Sequence, residues 1–170
     1  GEPTMYPKLP ELILELRKRK INSFLVTNGT QPNMIKKLLK AQPSQMYITL
    51  PSYNEKDYLK ICKPLIKNSW KKILKSLELV SKFKRNVFRL TLVKGVNMDA
   101  EGYAKLINKY KPKKIECKGY MNVGYSQERL EIQNMPYHED VLKFAKELSK
   151  LTKYKIKDQK KESRVVLLSI

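Results

Sequence analysis

Short, largely apolar runs alternate along the chain with stretches whose apolar positions recur every three or four residues, the two periods of strand and helix. Pro10 to Lys20 opens on proline, with its acids early and its bases late, the charge order that a helix dipole favours. Ser23 to Thr27 is a continuous run closed by Asn28-Gly29, which predicts a buried strand ending in a turn. Gln31 to Lys40 predicts a second helix, and Met46 to Leu50 a second strand stopped by Pro51. Asn68 to Lys82 carries Trp70, Ile73, Leu74, Leu77 and Val80 at helical spacing, which puts Trp70 in the core. Val87 to Val93 is a third strand with Lys94-Gly95 at its end, Asp99 caps a helix running to about Tyr110, and Ile115 to Gly119 is a fourth strand. A long polar stretch, Tyr120 to Met135, precedes a helix from Pro136 to about Leu151. Tyr154 to Asp158 and Val165 to Ser169 read as two further strands, so that residues 152–170 make a terminal hairpin.

Strands separated by helices of this length imply an α/β fold of parallel βα units with right-handed crossovers. Chemistry in such folds collects at the carboxyl ends of the strands. There the chain repeats polar residues after four successive strands: Thr27-Asn28-Gly29, Thr49 with Ser52, Lys94-Gly95 and Lys118-Gly119. No repeat or linker divides residues 1–170, which read as one domain. Four parallel strands and a hairpin are few for a closed barrel, and Gly1-Glu2-Pro3-Thr4 looks like the turn after a strand with no strand ahead of it.

Composition adds one strong feature. Lys and Arg number 36 against 16 Asp and Glu, a formal net charge of +20. Such a field attracts polyanions, nucleic acid foremost, although general lysine enrichment is the competing explanation. Cys62, Cys117 and a single histidine offer no disulfide framework and no metal site. The absence of a membrane-length apolar run and of a signal-peptide core points to the cytoplasm and away from membranes.

The opening Gly1-Glu2-Pro3-Thr4 resembles the second-strand motif of radical SAM enzymes, whose Gly-Glu pair contacts the amino group of S-adenosylmethionine. More specifically, Phe24-Leu25-Val26-Thr27-Asn28-Gly29-Thr30, Arg89 to Gly95, Glu116 to Met121, Val123-Gly124-Tyr125-Ser126, Met135-Pro136-Tyr137-His138-Glu139 and Ser163 to Leu168 resemble, in order, the archaeal tRNA 4-demethylwyosine synthases. The resemblance implies an incomplete barrel of about six βα units. It implies an enzyme, of the carbon–carbon lyase class, that condenses pyruvate with N1-methylguanosine 3′ of the anticodon of tRNA-Phe, forming 4-demethylwyosine in wyosine biosynthesis. It also implies S-adenosylmethionine and a [4Fe–4S] cluster as cofactors, with the radical chemistry supplied by the cofactor. On that basis Gly1, Glu2, Pro3, Thr4, Asn28, Thr49 and Arg89 are expected at S-adenosylmethionine, and Lys94, Lys118, Tyr120, Tyr125, Arg129 and His138 at substrate or the tRNA anticodon loop.

The chain departs from the family pattern in several places. The Cys-x3-Cys-x2-Cys cluster loop, the cysteines of a second cluster and an amino-terminal lysine that engages pyruvate all lie upstream of the Gly-Glu-Pro turn in the family and are not among these residues. Cys62 and Cys117 cannot replace them, so no metal ligand is expected here. The expectation is therefore the carboxyl-terminal portion of a partial barrel, inactive alone, as a truncated product, a fragmentary reading frame or one half of a split enzyme whose separate chain brings the cluster. Thr49-Leu50-Pro51 stands where the family shows Ser-x-Asp, keeping the hydroxyl and losing the acid, and Cys62-Lys63-Pro64 stands for Asp-Arg-Pro. A stand-alone basic RNA-binding α/β domain without catalysis is the alternative.

Several residues carry two readings each. Asn28 is either a turn former or cofactor-facing. Arg89, a charge inside an apolar strand, either meets a cofactor or pyruvate carboxylate or pairs with Glu116. Lys94 and Lys118 are substrate contacts or solvated lysines. Tyr120, Tyr125 and Arg129 are either base-stacking residues or ordinary loop packing. His138 is a site residue or a hydrogen-bonded structural histidine. The Lys-rich segment Lys153 to Lys161 is a phosphate contact or a solvated charge run.

Overall fold

The structure is a computed structural model describing residues 1–170. Its helices are α1 (Leu9–Lys18), α2 (Pro32–Leu38), α3 (Glu55–Cys62), α4 (Ser69–Val80), α5 (Ala100–Tyr110) and α6 (His138–Leu151). Its strands are β1 (Phe24–Thr27), β2 (Gln45–Leu50), β3 (Asn86–Leu92), β4 (Lys114–Gly119), β5 (Lys155–Lys160) and β6 (Val165–Ser169). They form one six-stranded sheet in the order β1-β2-β3-β4-β6-β5, open at both edges. The first four strands are parallel, and β6 folds back antiparallel against β4 with β5 outside it.

The elements start where the chemistry allows. Asp99 accepts hydrogen bonds from Glu101 N and Gly102 N at 3.0 and 3.1 Å, capping α5. Proline stands in the first turn of both α1 and α2, where its missing N–H costs nothing. Sequence periodicity assigns no element between Pro51 and Asn68, yet α3 forms there. Asn54 caps it by accepting from Asp57 N at 2.9 Å, and Lys63 ends it in a left-handed conformation. The helix is two turns long and buries only Tyr58 and Ile61, too few positions for a period to register.

All six helices contribute to one apolar cluster, and the strand residues in it belong to one side of the sheet: Leu25, Met46, Ile48, Leu50, Phe88, Leu90, Leu92, Ile115, Cys117, Val166 and Leu168. Burying each of the larger of these side chains contributes about 1.5–3 kcal/mol. Trp70 is in this core as its spacing predicts. The opposite side of the sheet carries Tyr47, Thr49, Arg89, Thr91, Glu116 and Lys118, and no helix packs on it. Register aligns Thr49 with Arg89, Arg89 with Glu116 and Glu116 with Leu167 in a single row. This layering of side chains from adjacent strands is that of a barrel interior, here on an open sheet.

One expectation needs correcting. The run at Ser23 to Thr27 predicts a buried strand, but Phe24 pairs with Gln45 on the Tyr47 side of the sheet, which no helix covers, and is 57% exposed there. Phe24 keeps only a lateral partner, its ring 4.5 Å from that of Tyr47.

Candidate functional site

The carboxyl ends of β1 to β4 converge on one rim of the sheet, and the first turn of the chain is fastened to it. Residues Pro3–Met5 form a single 3-10 turn. The Glu2 carboxylate accepts from Thr27 Oγ1 at 2.6 Å and from Thr4 N at 3.1 Å through Oε1, which the Thr4 hydroxyl also reaches. Its other oxygen, Oε2, accepts from Asn28 N at 2.8 Å. Oε1 is thus saturated, whereas Oε2 has one protein donor and a lone pair for another. The Asn28 side chain turns back on its own loop, accepting from Thr30 N at 3.0 Å and Thr30 Oγ1 at 2.7 Å. Of the two readings of Asn28, the side chain takes the turn-forming one while its backbone N–H serves Glu2. The turn needs Gly29, whose φ is +75° and where a Cβ would meet Ile48 Cδ1 at 2.8 Å.

Across the uncovered face, Arg89 Nε donates to Glu116 Oε1 at 2.6 Å, with the two side chains 22% and 12% exposed. The guanidinium carbon lies 4.8 Å from the centroid of Tyr47. The structural ion pair is therefore formed, and Arg89 is held between a carboxylate and a ring. Burial raises the Tyr47 hydroxyl above its ordinary range, with Glu116 adding to the rise and Arg89 opposing it. Thr49 sits half-buried in the same row, and Lys118 lies one row nearer the rim beside Thr91 and Val165.

Beyond β3 and β4 the loops are cross-braced. Lys94 Nζ reaches Asp140 Oδ2 at 3.0 Å, and Lys94 and Asn134 exchange hydrogen bonds at 2.9 Å through Lys94 N and Asn134 Nδ2. The Asp140 carboxyl is held below its usual range, first by its hydrogen bond from Lys94 and further by Tyr137 N. Arg164, on the turn between β5 and β6, donates to Pro136 O at 3.0 Å, and Gly119 N donates to Arg164 O at 2.9 Å.

The three loop residues expected at the anticodon separate. Tyr120 is 6% exposed, packed with Ile61, Val93 and Leu130, and its hydroxyl meets Asn122 and Ser126. Arg129 Nε donates to Ile61 O at 3.1 Å, tying the loop to α3. Both take the packing reading, because an aromatic ring and a long aliphatic stem fill the space under the loop. Tyr125 is 79% exposed with its ring free. His138 is buried, Nε2 lies 2.9 Å from Gln159 Oε1, and Nδ1 has no partner. That contact to β5 is the structural reading of the histidine. Lys155, Lys157, Lys160 and Lys161 line an exposed edge strand and its turn, with only Lys161 paired, to Glu139 at 3.4 Å.

Sequence reasoning missed Asn97. Its fully buried amide donates to Pro51 O at 2.7 Å and Thr91 O at 2.8 Å and accepts from Val93 N at 2.6 Å, fixing the ends of β2 and β3 together. Asn in a Gly-Val-Asn loop is an ordinary turn residue by composition, so no local signal marks this role.

The residues present do not make an iron–sulfur site. Cluster ligation takes at least three thiolates, and the chain has Cys62 at the end of α3 and Cys117 inside β4. Burial pushes the Cys62 thiol up to about 11, with Arg129 opposing, and also raises that of Cys117, opposite to what metal ligands need. No group of three His, Cys, Asp or Glu side chains assembles anywhere in the chain, and no helix is long and apolar enough to cross a membrane.

Comparisons with known proteins agree with this geometry. Over 99% of its length the chain is 44% identical to the S-adenosyl-L-methionine-dependent tRNA 4-demethylwyosine synthase of Pyrococcus horikoshii and 40% identical to that of Methanocaldococcus jannaschii, covering 51% and 53% of those proteins. The chain thus spans about half the length of the curated relatives it matches. A solved structure of TYW1 with a lysine–pyruvate adduct bound superposes with a TM-score of 0.89 at 37% identity, covering 99% of this chain and 54% of that one. A domain of a pyruvate-formate lyase-activating enzyme from Bacteroides vulgatus shares the fold alone, with a TM-score of 0.63 at 16% identity over 89% of this chain and 90% of that one. The model for wyosine base formation matches residues 109–169, and that for the radical SAM superfamily residues 1–107. The two meet at the end of α5, yet β3 and β4 pair across the boundary over six residues, so the sheet is continuous through it. The chain belongs to the radical SAM superfamily.

Proposed function

We propose that this chain is the carboxyl-terminal portion of a cytoplasmic tRNA-modifying enzyme that condenses pyruvate with N1-methylguanosine of tRNA-Phe to form 4-demethylwyosine. The observation that carries the reading is the match over 99% of the chain to proteins named for that activity, one of them solved with a lysine–pyruvate adduct. The uncovered sheet face and the rim of strand ends support it, because barrel enzymes place their chemistry there.

S-adenosylmethionine fits this rim. Its ammonium would take the remaining lone pair of Glu2 Oε2, a charge-assisted bond, with Gly1, Pro3 and Thr4 shaping the turn and Asn28 beside it. Thr49 and Arg89 would border the same space, and Arg89, already paired with Glu116, would act by holding the row in place. When bound, S-adenosylmethionine supplies radical chemistry at a cluster, and the cluster's three thiolates have to come from outside these 170 residues, from a preceding segment or a second chain. Lys94, Lys118 and the exposed Tyr125 would face the anticodon loop, and the net charge of +20 would draw the tRNA in.

The test is a deletion of the coding sequence followed by mass spectrometry of tRNA nucleosides. Loss of 4-demethylwyosine and its derivatives, with N1-methylguanosine accumulating, is the expected result. The second reading, a basic RNA-binding domain without catalysis, rests on that same charge. It predicts an unchanged nucleoside profile and would replace the first if that is found.

A further inference from the structure

We propose that Tyr137, with Lys94 and Arg164 over its ring, is a stacking platform for an unpaired RNA base whose adjoining phosphate meets Arg164, an inference that rests on the tRNA reading above. Tyr137 stands on the rim beyond β3 and β4 and is 66% exposed, so its ring is open to a flat partner. Lys94 Nζ lies over the ring at 5.8 Å and Arg164 Cζ at 5.6 Å from its centroid, outer cation–π distances at which Tyr137 still keeps 66% of its surface exposed.

Each member of the group is fixed before any ligand arrives. Asp140 holds the Lys94 ammonium at 3.0 Å and accepts from Tyr137 N at 2.9 Å. Arg164 is held by Pro136 O at 3.0 Å, and its own carbonyl by Gly119 N at 2.9 Å. Arg164 has no carboxylate partner, so its charge is available to a phosphate. An exposed aromatic plane beside fixed cations is the composition that binds unpaired RNA, since every base has a π face and every nucleotide a phosphate. Tyr120, which composition alone would choose, is 6% exposed and cannot serve.

The test uses the full chain and two probes: a stem–loop RNA with an unpaired loop, and a blunt duplex of the same stem. Tyr137→Ala should weaken stem–loop binding about tenfold and leave duplex binding unchanged, whereas Tyr137→Phe should bind both as the parent does. Arg164→Gln should weaken both and reduce the salt slope by about one. Because Tyr137 is exposed and its backbone makes the helix contact, Tyr137→Ala should keep its melting temperature. Stem–loop affinity equal to the parent's in Tyr137→Ala, or an equal loss on both probes, overturns the platform while the tRNA reading stands. A parent chain that binds neither probe at low salt overturns that reading and the platform with it.

Discussion

Glu2 Oε2 accepts a hydrogen bond from Asn28 N at 2.8 Å, so a carboxylate ties the first residues of the chain to the end of β1. With Thr27 and Thr4 on Oε1, the same group terminates a strand and presents one lone pair outward.

A first prediction follows for Glu2→Gln. The amide nitrogen cannot accept, so at least one donor among Asn28 N and Thr27 Oγ1 loses its partner. Hydrogen bonds to a charged group contribute about 2 kcal/mol, and the urea midpoint should fall accordingly. Calorimetric binding of S-adenosylmethionine should also be lost. An unchanged midpoint would show that the carboxylate is not structural.

Much of the fold is legible in the residues because the helices are amphipathic and the inner strands are apolar. Spacing places Trp70 in the core, and the capping preference of aspartate places Asp99 at the start of α5. What is not legible depends on neighbours. Phe24 looks buried because its strand is apolar, and only the register reveals that it faces the uncovered side of the sheet, whereas its neighbour Leu25 faces the core. The ends of β1 to β4 are readable as a polar rim from turn residues, yet whether Arg89 faces a ligand or Glu116 depends on the register that aligns them. Tyr120 and Tyr137 are both aromatic residues in polar surroundings, and burial alone separates the packed one from the open one.

The Arg89–Glu116 pair gives a second prediction. Removing either partner strands a mostly buried charge, so Arg89→Met or Glu116→Leu should each cost about 3 kcal/mol in chemical denaturation. The double variant should recover most of that loss, because apolar side chains of similar volume need no compensation. Additive losses in the double variant would mean that the two residues act independently.

A third prediction concerns Asp140. Its carboxyl is lowered, chiefly by Lys94, so the ionised form is the one that folding favours. The contribution is fully present above the ordinary aspartate value of about 3.9 and is lost as pH falls through the lowered folded value. Since Lys94 and Asp140 are 48% and 32% exposed, the effect should be only about 0.5 kcal/mol and should shrink with salt. Carbon-detected titration should show the Asp140 carboxyl returning toward its ordinary range in Lys94→Ala. A titration that does not move would assign the lowering to the Tyr137 N–H instead.

The cysteines supply a fourth. Thiolate is the species that alkylates, and burial raises the Cys62 thiol to about 11 and lifts that of Cys117 as well. Near neutral pH both should therefore resist iodoacetamide in the folded chain. Cys62, half-buried at the end of α3, should react first as pH rises, while Cys117, fully buried between β3 and β6, should wait for unfolding. Mass spectrometry after timed alkylation with and without urea distinguishes the two. Rapid labelling of Cys117 in native buffer would mean that β4 opens to solvent, which would contradict the continuous sheet from β3 through β4 to β6.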